Sequence, residues 1–293
     1  MDEFEWPFRG AEAVDAGFLT GHQLRRFYVP AYPGVYIPRG IELSDLTMAQ
    51  RSRAAWLWSR RRGVLAGLSA AEALGAKWID EDTTPQLIHG NRRPPEGVLV
   101  DSGVLLPGEM NRVNGMLTTN AARTAYDLGC RLELVDGVQR LDALFNATDV
   151  KIVDVEAVMA AHSGTRGLVR LRETLGFVDG GAESPYESLT RMMLLENGFP
   201  APQTQVRVFD ARGNVIARLD MGWPEYRVGV DFDGAHHWTD ASQRAKDIDR
   251  YALLPDLGWI DIRVNSGILH RRPHEFLDRV GRALESRGCP RTW

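Results

Sequence analysis

Two cysteines in 293 residues, Cys130 and Cys289, are too few for a disulfide framework, and they exclude a zinc site built from cysteines. Long apolar runs are also missing: no stretch approaches the roughly 20 residues that a membrane-spanning helix needs. The start, MDEFEWPFRG, is acidic and aromatic, unlike the basic n-region of a secretory leader or an arginine-rich transit peptide. These absences predict a cytoplasmic protein with no membrane partner. A basic excess is absent too, since 35 Lys and Arg stand against 39 Asp and Glu, a net charge of −4. Residues 1–46 hold four basic and seven acidic groups, 47–182 sixteen of each, and 183–293 fifteen against sixteen. A general nucleic-acid coat is excluded, so any nucleic-acid contact must be local.

What is present suffices for a core: 44% of the residues are hydrophobic, enough for two domains or one long composite. Local basic runs do occur at SRRRG (59–63), NRRPP (91–95) and HRRPH (270–274). Each reads either as a solvated helix end or loop or as a local nucleic-acid patch.

Residues 1–46 read as a winged helix-turn-helix-like segment. Ala13, Val14 and Phe18 fall on one helical stripe, Gly17 stops it, and Thr20 can cap a second helix. That helix would turn Leu24 and Phe27 inward and present Gln23, Arg25 and Arg26 outward as DNA-binding candidates. AYPGVYIPRG follows as a turn with a small strand pair, where a wing would stand. A bare helical hairpin fits the same pattern.

Residues 47–178 read as an α/β middle region. Helices are expected through MAQRSRAAWLWSRRRG and LSAAEALGA, the second begun by a capping box of Ser69 and Glu72. Short strands in PQLIHG and GVLVDSGV precede two helices in LTTNAARTAYDLGCRLELVDGVQRLDALFNA. His89, Asp101 and His162 stand isolated along this stretch, which shows no catalytic constellation.

At VDGGA the chain reads as a flexible joint, and 179–293 reads as a third region. Ser184 caps a helix with Pro185 at its first position. Strands follow in QTQVRVFD, VIARLDMGW and RVGVDFDG, then a helix through ASQRAKDIDRYALLPDLG, a strand WIDIRV and a last helix. The order α-β-β-β-α-β-α predicts a central mixed sheet flanked by helices.

The chemistry gathers at VGVDFDGAHHWTD. Val228, Val230 and Phe232 alternate with Gly229, Asp231 and Asp233, so two carboxylates two residues apart share a strand face. Asp220 lies on the polar side of the preceding strand. A hairpin register pairing residues of odd sum brings it to Asp231 and Asp233, whereas a one-residue slip sends it away. Like charges so placed need a proton or a cation, and a hard divalent ion is the natural resident.

In order and spacing, the run from Glu183 to about Arg282 resembles the very-short-patch-repair-endonuclease-like branch of the PD-(D/E)XK nuclease superfamily. The matching pieces are Glu187 on a helix, Arg218-x-Asp220, Asp231-x-Asp233-Gly234 and His236-His237. Asp247 with Arg250, and Gly258-Trp259 with Arg263, complete them. Residues 1–178, through LTGHQLRRF, PGVYIPRG, LSAAEALG and NAARTAYDL, resemble the front part of abortive-infection-type antitoxin proteins.

The resemblance implies a restriction-endonuclease-like fold and a Mg²⁺- or Mn²⁺-dependent DNA endonuclease that leaves a 5′-phosphate and a 3′-hydroxyl, with an N-terminal DNA-recognition or regulatory region. Asp220, Asp231 and Asp233 would be the metal and catalytic acids, with Glu187 as a further ligand or support. His237, or His236, would be the general base, and Arg244, Asp247, Arg250 and Arg263 would support the site or reach the phosphate. Two departures stand out: Asp231 replaces the usual glutamate, and Asp233 takes the place of the superfamily's lysine. The competing reading is a non-catalytic DNA-binding regulator or antitoxin-like protein, with a toxin or regulatory protein as partner. Glu187 carries two readings as well, helix capping through Ser184 or membership of the metal site.

Overall fold

The computed structural model describes residues 5–91, 93–234 and 253–293. The chain divides into two compact mixed α/β units, Met1–Leu175 and Gly176–Trp293. Among the described residues no helix is long and apolar enough to cross a membrane.

The first unit begins with β1 (Phe8–Arg9), α1 (Gly10–Asp15), α2 (Gly21–Phe27), β2 (Tyr28–Tyr32) and β3 (Val35–Pro38). The three strands form an antiparallel sheet in the order β1-β3-β2. A capping box starts α2: Thr20 Oγ1 accepts the Gln23 N–H at 3.2 Å and Gln23 Oε1 accepts the Thr20 N–H at 2.8 Å. Two residues expected inside are outside, Phe18 at 68% and Phe27 at 51% exposed. α1 ends at Asp15, so the helical stripe never reaches Phe18. α2 passes directly into β2, which leaves Phe27 under the Arg26 guanidinium, 5.2 Å from the ring centre.

A five-stranded mixed sheet follows, ordered β6-β5-β4-β8-β7. Its strands are β4 (Val64–Leu65), β5 (Gln86–Ile88), β6 (Leu99–Asp101), β7 (Met110–Val113) and β8 (Met116–Thr119). α3 (Met48–Trp58) and α4 (Gly67–Ala73) are interleaved with it, and α5 (Ala121–Arg131), α6 (Leu134–Ala147), α7 (Ile152–Ala161) and α8 (Leu168–Leu175) come after it. Tyr32 and Val35 of the small sheet share one core with Ala54, Leu57, Leu65 and Leu87. Ser69 does not cap α4, which starts two residues earlier at Gly67. Its buried hydroxyl instead accepts the Gln86 N–H at 2.9 Å and serves the start of β5.

The second unit contains α9 (Pro185–Glu196), β9 (Gln203–Phe209), β10 (Val215–Trp223), β11 (Val228–Phe232) and β12 (Ile260–Val264). α10 (Ser266–Arg271) and α11 (Pro273–Ser286) complete it. The sheet order is β12-β11-β10-β9, with β9, β10 and β11 antiparallel and β12 parallel to β11. The expected single last helix is two, because Arg272 leaves helical geometry (φ −140°, ψ 48°) ahead of Pro273. Phe276, Val280, Ala283 and Leu284 recur at helical spacing and join Leu194, Met221, Trp223, Val228, Val230 and Val264 in the core. The stretch read as a flexible joint is held down. Gly181 donates to Asp179 Oδ1 at 2.8 Å, the Thr204 hydroxyl of β9 donates to the same carboxylate, and a Cβ at Gly181 would run into that hydroxyl. Glycine serves close approach here.

Candidate functional site

The hairpin β10–β11 pairs Met221 with Val230, Gly222 with Gly229 and Trp223 with Val228, an odd-sum register. Extended by one position it sets Asp220 against Asp231, and there the backbone ladder gives way to side chains. Asp231 Oδ1 accepts the Asp220 N–H at 2.8 Å, and Asp220 Oδ2 accepts the Phe232 N–H at 2.7 Å. Two carboxylates thus interlock at the end of a buried hairpin. Asp231 is only 5% exposed.

Glu187 reaches the same place from the first turn of α9. Ser184 Oγ accepts its N–H at 3.2 Å, which fixes the helix start. Its carboxylate does not close the capping box on Ser184; Oε2 accepts the Glu183 N–H at 2.9 Å and the Gln205 amide at 3.0 Å. Glu187 is therefore tied to the cap and to the site at once. Burial raises its pKa, against the pull of the Glu183 N–H and the Ser184 hydroxyl.

The electrostatic centre is Asp220. Burial pushes its pKa up to about 8, the negative charges of Glu187 and Asp231 push in the same direction, and the Phe232 N–H and Arg218 only partly oppose them. Arg218 grips Glu183 in a bidentate pair at 2.8 and 2.9 Å. Asp220 thus stands between two other acids, in surroundings that favour its protonated form.

Gln205 belongs to this set and carried no signal in QTQVRV. It sits in β9 at φ 52°, and it and Asp220 lie between the paired positions Leu219–Val206 and Met221–Thr204. Its Oε1 is buried and has no hydrogen-bond partner among the described residues.

Asp233 lies past the end of β11, exposed, with its N–H given to Val264 O at 2.7 Å. Arg263 is the Cα partner of Asp231 in the parallel β11–β12 ladder, and its Nε lies 3.3 Å from Asp261 Oδ2. Gln23, Arg25 and Arg26 are exposed on α2, where Gln23 serves the capping box and Arg39 holds the Arg25 and Arg26 carbonyls. His236, His237, Arg244, Asp247 and Arg250 lie outside the described residues.

No family model and no solved structure matches the chain. Two proteins from two strains of Mycobacterium tuberculosis, named Uncharacterized protein Rv2248 and Uncharacterized protein MT2308, are 30% identical to it over 193 residues. The alignment covers 66% of this chain and 70% of each relative. The chain belongs to their family. Neither printed name in this mycobacterial family states an activity, so the chemistry must be read from the residues.

Among the described residues no group of three His, Cys, Asp or Glu side chains is arranged to hold a metal ion. The donor chemistry suits a different arrangement: two carboxylates, each with one oxygen fixed by a backbone N–H. Mg²⁺ typically takes one or two carboxylates and completes its shell with water and phosphate oxygens.

A second polar network, which the sequence did not reveal, is buried in the first unit. Arg123 Nη1 donates to Glu109 Oε2 at 2.6 Å, and its Nε lies 3.1 Å from both Asp127 oxygens. His162 Nε2 lies 2.6 Å from Glu109 Oε1. Its members come from a loop and α5 and from the residue that ends α7, so no local motif announces them.

Proposed function

We propose that the protein is a divalent-cation-dependent DNA endonuclease, with Asp220 and Asp231 as the cation's protein ligands. The observation that carries this is the interlocked aspartate pair beside Glu187, with Asp231 buried, Asp220 half-buried and the Asp220 pKa pushed up to about 8. A structural carboxylate gains nothing from that environment, whereas a ligand awaiting a cation does. Mg²⁺ or Mn²⁺ bound there would polarise the scissile phosphate and acidify a water. The Phe232 and Asp220 N–H groups would aim one oxygen of each carboxylate. Glu187, held by Gln205, would add negative charge from α9. His237 is assigned the proton-accepting role on the resemblance alone.

Incubation with supercoiled plasmid, with and without Mg²⁺ or Mn²⁺, tests the proposal, and end-labelling of the products checks for 5′-phosphate and 3′-hydroxyl ends. Nicking or linearisation that EDTA abolishes supports it. Cation-independent DNA binding without cleavage would instead support the regulator reading. That reading has its own observation, an exposed Asp233 where the resembled family carries a lysine.

A further inference from the structure

One basic run, SRRRG, meets the first residue of another, Asn91 of NRRPP. SRRRG and NRRPP lie far apart in the chain, yet Trp58, Ser59, Arg60, Arg62, His89 and Asn91 line one cavity of about 390 Å³ in the first unit. We infer that this cavity binds a backbone phosphate of a nucleic-acid strand, with the half-buried Trp58 ring beside it as a stacking face. The site is separate from the aspartate pair and does not depend on that pair cutting DNA.

The charges are arranged for an outside ligand. Of the three consecutive arginines, Arg61 is committed inside the protein: it grips Glu12 at 2.5 and 2.6 Å and lies 5.7 Å from the centre of the Trp56 ring. Arg60 and Arg62 have no ion-pair partner among the described residues, and both are exposed. Surplus cations beside an aromatic face are what a phosphate-linked base requires. His89 adds a donor rather than a charge: its Nδ1 accepts the Asn91 N–H at 3.1 Å, which leaves the ring proton on Nε2. Its ring meets the Trp58 ring edgewise, with centres 5.9 Å apart.

The backbone is strained to make this arrangement. Arg60 and Arg61 have φ of 57° and 62°, and among the described residues they are the one consecutive non-glycine pair in the left-handed region. Helices usually end this way on glycine, because a Cβ is unfavourable there. The buried Ser59 hydroxyl locks the turn, donating to Trp56 O at 2.6 Å and accepting the Gly63 N–H at 2.9 Å. Keeping arginine where glycine would be easier points to a use for its side chain.

The form of the cavity favours a strand over a free nucleotide. Arg60, Arg62 and Asn91 are exposed, whereas small-molecule pockets enclose most of their ligand. An open basic cleft with one aromatic wall suits a polymer passing across it.

The test is fluorescence anisotropy of short labelled single-stranded and duplex oligonucleotides with the full chain in EDTA, so that cleavage plays no part. Arg60→Gly, Arg62→Ala and their double variant are compared with Lys77→Ala, which removes an exposed charge from the same unit. We expect the double variant to lose about fivefold or more in affinity and its log–log salt slope to flatten by about one per lost contact. Arg60→Gly should also match or exceed the wild-type melting temperature, so its lost affinity cannot be blamed on unfolding. Tighter binding of the single strand than the duplex supports the Trp58 stacking face. Affinities within about twofold of Lys77→Ala would overturn the inference. So would displacement of the strand by pyrophosphate or polyglutamate as readily as by unlabelled oligonucleotide.

Discussion

Both units bury carboxylates, and they treat them in opposite ways. In the first, Glu109 and Asp127 close on Arg123, a cation built into the chain and only 3% exposed. Against the upward push of burial, the Leu106 N–H, His162 and Arg123 hold Glu109 below its usual pKa, whereas burial still raises Asp127 against the pull of Arg123. In the second, Asp220 and Asp231 interlock beside Glu187, Arg218 is drawn to Glu183, and Asp220 rises to about 8. The comparison separates structure from readiness for chemistry. A carboxylate needed for stability arrives with its counter-ion, and one crowded by other acids is, on the proposed function, where a cation would bind.

The largest expected effect is on cleavage by Asp231→Asn. The change keeps size and one acceptor oxygen but removes a ligand charge, so plasmid cleavage should fall about a thousandfold, or ~4 kcal/mol of barrier. DNA binding should survive or tighten, since repulsion of the phosphate is relieved. Saturating Mg²⁺, at a hundred times its dissociation constant, should stabilise wild type by about 2.7 kcal/mol and the variant by clearly less. Equal stabilisation of the two would remove Asp231 from the ligand set. In the first unit, Arg123→Met strands Glu109 and Asp127 without their cation. It should cost about 3–5 kcal/mol in urea unfolding with cleavage chemistry unchanged in folded protein.

The pH dependence sharpens the contrast. A carboxyl whose folded pKa lies above its unfolded value binds more protons folded than unfolded, so stability falls as pH rises between the two. For Asp220 that window runs from about 4 to about 8. Without metal, Asp220 alone should contribute a loss of at most about 1.4 kcal/mol per pH unit inside it, and the raised Glu187 adds to the same sign. Asp220→Asn should flatten that slope and stabilise the metal-free protein at pH 8. In the first unit the two signs act in different windows: the lowered Glu109 contributes stability that is lost as pH falls below its ordinary value, and the raised Asp127 costs stability as pH rises above its own. A pH slope unchanged by Asp220→Asn would show that the proton is not on Asp220.

Local periodicity made much of the second unit legible. Strand alternation placed β10 and β11, and the odd-sum register that joins Asp220 to Asp231 was one of two alternatives that alternation leaves open. Ser184 and Pro185 marked the start of α9 because capping is a short-range rule. Where several distant segments must meet, sequence is silent: Glu109, Arg123, Asp127 and His162 read as unrelated residues. Patterns also misled where an element ended early. Phe18 kept its helical spacing after α1 had stopped, and Ser69 looked like a cap because its hydroxyl's real partner, Gln86, is seventeen residues away.

The smallest effect on stability, and the finest cut through the comparison, concerns Gln205. Its φ of 52° in mid-strand is unfavourable for any residue with a Cβ, by about 1–2 kcal/mol. Its amide donates to Glu187 Oε2 at 3.0 Å, a hydrogen bond to a carboxylate worth about 1.5–3 kcal/mol at most when that group is ionised. Gln205→Gly relieves the first and forfeits the second, so metal-free stability should stay within about 1 kcal/mol of wild type. Cleavage should not stay level, because Glu187 would lose the group that aims it from α9, and a loss of about tenfold is expected. Arg207→Gly, at an exposed position of the same strand, supplies the control for a glycine in β9. If Gln205→Gly is more stable than wild type and cuts plasmid equally well, the strained amide has no part in positioning Glu187. The acidic set then shrinks to the two aspartates of the hairpin.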